Sequence, residues 1–251
     1  MALLNEKPLA LMEKISIVIP VYNEFDNLER AVTITRDYLF AMNFNYEIII
    51  AEDGSTDGTK DVALRLSNAY PSVWCIFNED RLGRGKALKE AFRRSSGEIL
   101  LYFDVDLSTE IGFLHPLIRV IAEGNDVVTG SRMMLESRVS RSITRRLASR
   151  IYNGLVRFFL GSPIIDHQCG FKAFRRESLL DILDEVKANH WFWDTEVIVL
   201  AYKRGFSVKE IPVIWNERDG SKVKLFTDFI IMGGQILELW WRLLYKHRKL
   251  N

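Results

Sequence analysis

Through the first hundred residues, short apolar runs alternate with stretches whose apolar positions recur at helical spacing. Residues 15–20, 46–51, 73–77 and 98–103 are rich in β-branched and aromatic side chains and end in turn-forming residues, which predicts strands. Between them, 27–42, 59–69 and 84–95 carry the 3.6-residue period of amphipathic helices. Strands that are apolar throughout, rather than on alternate positions, are buried on both faces. Linked by helices, they predict an α/β fold with a mainly parallel sheet flanked by helices.

In such sheets the ligand crevice lies beyond the carboxyl ends of the strands. The first run leads into Pro20-Val21-Tyr22-Asn23-Glu24, and the second into Glu52-Asp53-Gly54-Ser55-Thr56-Asp57-Gly58-Thr59. The third is followed by Arg81, Gly83, Gly85 and Lys86, and the fourth by Asp104-Val105-Asp106. Four consecutive strand ends thus deliver polar and charged groups to one edge, which predicts a site there. The first turn lacks the Gly-x-Gly-x-x-Gly of dinucleotide folds. Gly83-Arg84-Gly85-Lys86-Ala87 lacks the spacing and the hydroxyl of a P-loop.

Composition narrows the reading. The 251 residues hold 34 Lys and Arg against 33 Asp and Glu, so no global polyanion-binding surface exists and nucleic acid is excluded as a partner. Two cysteines, Cys75 and Cys169, make neither a disulfide framework nor a zinc site and suit a reducing compartment. The N-terminus does not have the form of a signal peptide, and no charge-free window of membrane-spanning length occurs.

Asp104 and Asp106 flank one residue at a strand end. Carboxylates so close repel unless a cation shares them. An oxygen-only pair favours Mg²⁺ or Mn²⁺, completed by substrate phosphate and water. The alternative is a strand end capped ahead of Ser108 and Thr109. Asp53 and Asp57 likewise suit turns.

These segments resemble the inverting glycosyltransferases of family 2, which have the GT-A fold. The resemblance rests on residues 17–24, 53–59, 83–87 and 104–106 in that order and spacing. It implies that Pro20, Tyr22 and Glu24 line a nucleotide pocket with Lys86. It also implies that Asp53 accepts a hydrogen bond from the base, and that Asp104 and Asp106 carry the metal on the donor diphosphate. In the family a third ligand, often Gln, follows the acid pair; here the nearest hydroxyl is that of Ser108, and the third ligand stays open.

The second half bears on the acceptor. Residues 132–157 contain seven arginines and one acid, Glu136. Over 143–160 Leu147, Ile151, Leu155 and Phe158 recur at helical spacing beside Arg146, Arg150 and Arg157. This pattern fits either a helix lying in an anionic membrane surface or a core-packed helix with a solvated edge. From 225 to 249 a second amphipathic pattern sets Asp228, Gln235, Glu238, Arg242 and Lys246 on one side. Trp240, Trp241 and Tyr245 stand near a basic tail, and Gly233-Gly234 is expected to kink or divide the helix. Two such segments predict a peripheral, monotopic protein.

Gly130-Ser131-Arg132, residues 166–172, 193–196 and 215–217, and Gly220-Ser221-Lys222 are similar to the dolichyl-phosphate hexose synthases, most of all to the dolichyl-phosphate glucosyltransferases. The resemblance implies that Ser131, Arg132, Arg146 and Lys222 hold a lipid phosphate. His167 stands where Thr is usual. Asp194 and Glu196, at the start of a helix over 195–204, are expected to order the acceptor region by pairing with Arg or Lys. His115, His190 and His247 receive no catalytic role.

Together these readings predict one GT-A-like domain over 1–223, with a nucleotide half over about 14–110 and an acceptor half over about 111–223. Residues 224–251 form an interface helix and basic tail. The expected reaction is inverting transfer of a hexose from a nucleotide-sugar donor, glucose from UDP-glucose foremost, to dolichyl or polyprenyl phosphate at the cytoplasmic face of a membrane. GDP-mannose and UDP-N-acetylglucosamine are the alternative donors. A sugar nucleotidyltransferase and a non-catalytic sugar-nucleotide-binding subunit are the alternatives from other classes. Protein partners stay open.

Overall fold

The computed structural model describes residues 13–217 and 225–250, and in the last helix the side chains of 230–245. The expectations for the N-terminal stretch, for Gly220-Ser221-Lys222 and for the side chains of Asp228, Lys246 and His247 lie outside these residues.

The chain alternates β1 (Ile15–Val21), α1 (Phe25–Ala41), β2 (Tyr46–Asp53), α2 (Thr59–Ala69), β3 (Val73–Asn78), α3 (Arg84–Arg94) and β4 (Ile99–Phe103). A single 3₁₀ turn leads to α4 (Leu114–Ala122), β5 (Val127–Ser131), β6 (Arg138–Ser140) and α5 (Ile143–Leu160). Then follow β7 (Phe171–Arg175), α6 (Arg176–Leu183), α7 (Trp193–Lys203), β8 (Val208–Pro212), β9 (Ile214–Asn216) and α8 (Leu225–Leu250). Seven strands form one sheet in the order β3-β2-β1-β4-β7-β5-β8. All neighbours are parallel except β7, which runs antiparallel to β4 and β5. β6 and β9 pair separately.

The apolar continuity of the first strands has the expected cause. Every residue of β1 and β4 is buried, because helices cover both faces of the sheet. One core holds β1 residues Ile17 and Ile19 with Leu28 of α1, Val62 of α2 and Leu117 of α4. The other holds Val18 with Leu88 of α3, Val156 of α5, Leu179 of α6, Trp193 of α7 and Ile236 of α8.

α5 buries Tyr152, Asn153, Val156 and Leu160. Of the apolar stripe read from its sequence, Leu147, Ile151 and Phe158 are exposed on the outer face, while Leu155 packs against the core. α8 lies on α5 and buries Met232, Ile236 and Leu239. It runs unbroken through Gly233 and Gly234, against the expected division. Each glycine costs about 1 kcal/mol of helix propensity, which the packing on either side outweighs. No helix among the described residues is long and apolar enough to cross a membrane.

Candidate active site

The strand ends open into a cavity of about 530 Å³, lined by Pro20 near the end of β1 and Tyr22 and Glu24 just after it, Asp53 at the end of β2, and Asp104 and Asp106 after β4. The turn after β4 is tight: the Leu107 N–H donates to the Asp104 carbonyl at 3.1 Å, and Leu107 has φ of 52°. A leucine in this left-handed region costs about 1–2 kcal/mol, and the turn sets both carboxylates beside one another. Burial, then the neighbouring Asp104 charge, pushes the Asp106 carboxyl above the usual range, while bonds from the Ser108 N–H and hydroxyl, both 2.8 Å, oppose the shift. Ser108 thus orients Asp106.

Asp104 is held from two sides. Arg84, at the start of α3, donates to its Oδ1 from Nη2 at 2.7 Å and from Nε at 3.2 Å. On the other side lies the backbone of Gly170, where any Cβ would overlap the carboxylate. Gly170→Ala should therefore displace Asp104 and lower Mn²⁺ affinity at least tenfold, measurable by paramagnetic resonance of the free ion; unchanged affinity would show that the carboxylate tolerates the shift.

Arg84 also reaches Asp194 on α7, at 2.7 Å from Nη1. Asp194 is wholly enclosed and accepts from Tyr102 and from Lys172 Nζ at 2.8 Å as well. Burial pushes its carboxyl up to about 6, against the pull of Arg84, and pushes the Lys172 ammonium down to about 7. With both oxygens engaged, Asp194 orders Arg84 and Lys172. Asp194 also lines the cavity.

Several of the expected residues make bonds within the protein or stand away from the cavity. The Asp53 carboxylate accepts the N–H groups of Leu82 and Gly83 at 2.8 and 2.9 Å, so it fixes the loop before α3. Asp57 binds the Thr59 and Phe25 N–H groups and is a turn residue. Arg81 stacks on the Tyr22 ring at 3.9 Å. Lys86 does not line the cavity; its N–H donates to the Asn189 carbonyl at 3.2 Å. Ser131 is wholly buried and does not line the cavity, and its hydroxyl has no hydrogen-bond partner among the described residues. Arg146 is exposed on α5, away from the lining.

Three other arginines are brought together. Arg132 lines the cavity and forms a bidentate pair with Asp166, 2.8 Å at each contact. Arg141 and Arg145 join it in the lining. The guanidiniums of Arg132 and Arg141 lie 5.7 and 5.4 Å from the Trp215 ring. Arg145 pairs with Glu217 at 2.8 Å. Arg141 donates to Ser149 at 2.8 Å, but its buried Nε has no hydrogen-bond partner. Burial, and then repulsion from Arg132, push Arg141 down to about 10, so it stays charged at neutral pH.

His167 is a structural residue. Asn153 Oδ1 is an acceptor, so His167 Nδ1 donates to it at 2.8 Å, and Nε2 accepts from the Ser162 hydroxyl at 2.8 Å. Burial pushes its ring down to about 3, which keeps it neutral.

Sequence comparison agrees with this architecture. Residues 16–183 match the family model for glycosyl transferase family 2. The chain is 44% identical to the glycosyltransferase AglD of Haloferax volcanii over 94% of its own length and 38% of that protein's. It is 34% identical to the dolichyl-phosphate beta-glucosyltransferase ALG5A of Trichomonas vaginalis, covering 84% of this chain and 68% of the relative. To the dolichyl-phosphate beta-glucosyltransferase of Saccharomyces cerevisiae it is 30% identical, over 89% and 73%. The chain thus spans little more than a third of AglD and about two thirds to three quarters of the others. Among solved structures, glucosyl-3-phosphoglycerate synthase of Mycobacterium tuberculosis, in complex with Mn²⁺, UDP and glucosyl-3-phosphoglycerate, superposes with a TM-score of 0.68 at 20% identity, over 91% of this chain and 79% of that one. That likeness bears out the GT-A-like fold. The sequence matches, taken with the sheet and the acid pair at its edge, establish that this chain belongs to glycosyl transferase family 2.

Proposed function

We propose that the chain transfers a hexose, glucose from UDP-glucose foremost, to dolichyl or a related polyprenyl phosphate. The observation that carries this reading is Arg141. A half-buried guanidinium beside Arg132 and Arg145, in the cavity that holds the acid pair, is complementary to an anion. The names of the relatives from Trichomonas vaginalis and Saccharomyces cerevisiae point to the same acceptor.

Asp104 and Asp106 fit Mg²⁺ or Mn²⁺. No group of three His, Cys, Asp or Glu residues able to hold a metal exists among the described residues. Two carboxylates with the remaining positions left to phosphate and water are what such a cation takes in a phosphate-handling site. When bound, the cation would supply positive charge on the donor diphosphate.

The residues of the chain do the rest. Glu24, Tyr22 and Pro20 shape the donor end of the cavity, and Asp53 fixes its neighbouring loop. Arg132, Arg141 and Arg145 gather the acceptor phosphate and offset its repulsion from the diphosphate. A phosphate oxygen attacks the anomeric carbon as the bond to the diphosphate breaks on the opposite face, inverting the centre. The acceptor is ionised at neutral pH, so no side chain need remove a proton. That agrees with an Asp194 whose oxygens are both engaged.

The outer faces of α5 and α8 support a peripheral position on a membrane, on the cytoplasmic side that two free thiols suit. Ile143, Leu147, Ile151 and Phe158 of α5 and Ile230, Ile231, Leu237, Trp241 and Tyr245 of α8 are all exposed, beside exposed Arg146, Arg150 and Arg157. In anionic vesicles carrying dolichyl phosphate, Arg141→Gln should raise the KM for lipid roughly 10- to 100-fold, the loss of one charge-assisted hydrogen bond of about 1.5–3 kcal/mol. The affinity for UDP and the binding to vesicles should hold. A fall in UDP affinity instead would move Arg141 to the donor.

A further inference from the structure

We propose that Arg242 of α8 is a positioning residue for the active site, tying the outer helix to the wall of the cavity; the inference rests on the cavity being the place of transfer. The tie runs through Glu196 on α7, whose side chain is wholly buried. Glu196 Oε2 accepts the N–H groups of Lys187 and Ala188 at 3.0 and 2.7 Å. Its Oε1 accepts Arg242 Nη1 at 2.6 Å, and Arg242 Nη2 donates to the Glu185 carbonyl at 2.8 Å. One carboxylate and one guanidinium therefore fix the backbone of 185, 187 and 188.

What this segment holds gives the tie its meaning. The next carbonyl, that of Asn189, accepts the N–H groups of Gly85 and Lys86 at 2.7 and 3.2 Å. These are donors of the first turn of α3, which have no partner within their own helix. Arg84, the first residue of that helix, holds Asp104. His190 and Trp191 follow and line the cavity, and the Trp191 ring lies 5.4 Å from the Arg84 guanidinium. The connection from α8 to the acid pair is thus a continuous series of bonds: Arg242, Glu196, the 187–189 backbone, the α3 N-terminus, Arg84, Asp104.

A helix serving as an anchor alone needs its apolar face and no buried ion pair with the catalytic body. Met232 of α8 reaches the cavity wall directly, and Arg242, which does not touch the cavity, adds a bonded tie from α8 to the geometry of the site. The position of α8 and the position of Asp104 are then coupled.

The test is amide hydrogen exchange on the full chain without substrate or lipid, comparing wild type with Arg242→Gln. Exchange at Gly85, Lys86 and 187–189 should rise at least tenfold, with the strand amides of β1 and β2 unchanged. In vesicles, kcat should fall about tenfold while the KM for lipid and the vesicle affinity stay as in wild type. Arg242→Lys, which keeps the pair with Glu196 and gives up the bond to Glu185, should fall between the two, and it carries the test if Arg242→Gln does not fold. Exchange at 85–86 that matches wild type in a folded variant overturns the proposal and leaves Arg242 a local contact of α8. Exchange is read without turnover, so this outcome is separate from whether the chain proves to transfer a hexose.

Discussion

Asp104→Ala should reduce hexosyl transfer by about three orders of magnitude, with Mn²⁺ binding lost and UDP–Mn²⁺ affinity falling with it. The cation's share of stabilising the departing diphosphate is several kcal/mol, and each 1.4 kcal/mol is tenfold in rate. The substitution also releases Arg84 from one of its two acids. Asp194 remains, so the guanidinium stays paired and the fold should survive. Two readouts separate these effects: thermal unfolding should change little, whereas titration with Mn²⁺ should show no saturable site. Transfer retained at saturating Mn²⁺ would contradict the assignment of the acid pair.

Arg132→Ala should damage stability and acceptor use together. Asp166 is wholly buried and takes two bonds from the Arg132 side chain, besides the Arg132 N–H at 2.9 Å. Breaking such a pair leaves an uncompensated charge in the interior, a cost of about 3–5 kcal/mol, out of a total stability on the order of 5–15 kcal/mol. For a chain of this size the midpoint of unfolding should fall by roughly 10 °C. Burial alone would push the Asp166 carboxyl up, but the Arg132 guanidinium overrides it and holds the group well below the usual carboxylate range. A depressed value contributes stability that is fully present above the unfolded value of about 3.9 and is lost as pH falls through the folded one. Wild type should therefore lose this contribution only in strong acid, and the variant should lack it at neutral pH. Arg132→Lys, keeping the charge without the fork, should recover part of the stability. The donor affinity of a folded Arg132 variant should match wild type while its KM for lipid rises; the reverse would place Arg132 on the donor.

The first hundred residues were legible because their signals are local. β1 through β4 are continuous apolar runs covered on both faces, and their ends carry charge to one edge. The rest of the chain was harder. β5, β7 and β8 are five residues each, and β7 reads Phe-Lys-Ala-Phe-Arg. Its Lys172 is fully buried, paired with Asp194 22 residues away in the chain, a contact that no window reveals. Arg84 was passed over for the same reason: its partners lie 20 and 110 residues distant.

On α5 the sequence showed a periodic apolar stripe without showing which way the helix would turn. Tyr152, Val156 and Leu160 face the body, which puts Arg145 in the cavity and Arg146, one residue and about 100° further round, on the outside. The Asp53 and Asp57 turn roles were open alternatives at the level of sequence, and hydrogen bonds to backbone N–H groups decide what they do in this structure.

The reaction itself is tested most directly by a donor panel. Radiolabelled UDP-glucose, GDP-mannose and UDP-N-acetylglucosamine are each incubated with the chain, Mn²⁺ and dolichyl phosphate in anionic vesicles, and the organic extract is counted. Label from UDP-glucose entering the lipid phase, and being lost when Mn²⁺ is chelated, is the expected result. No label from any donor, with all three left intact, would contradict hexosyl transfer to a lipid phosphate.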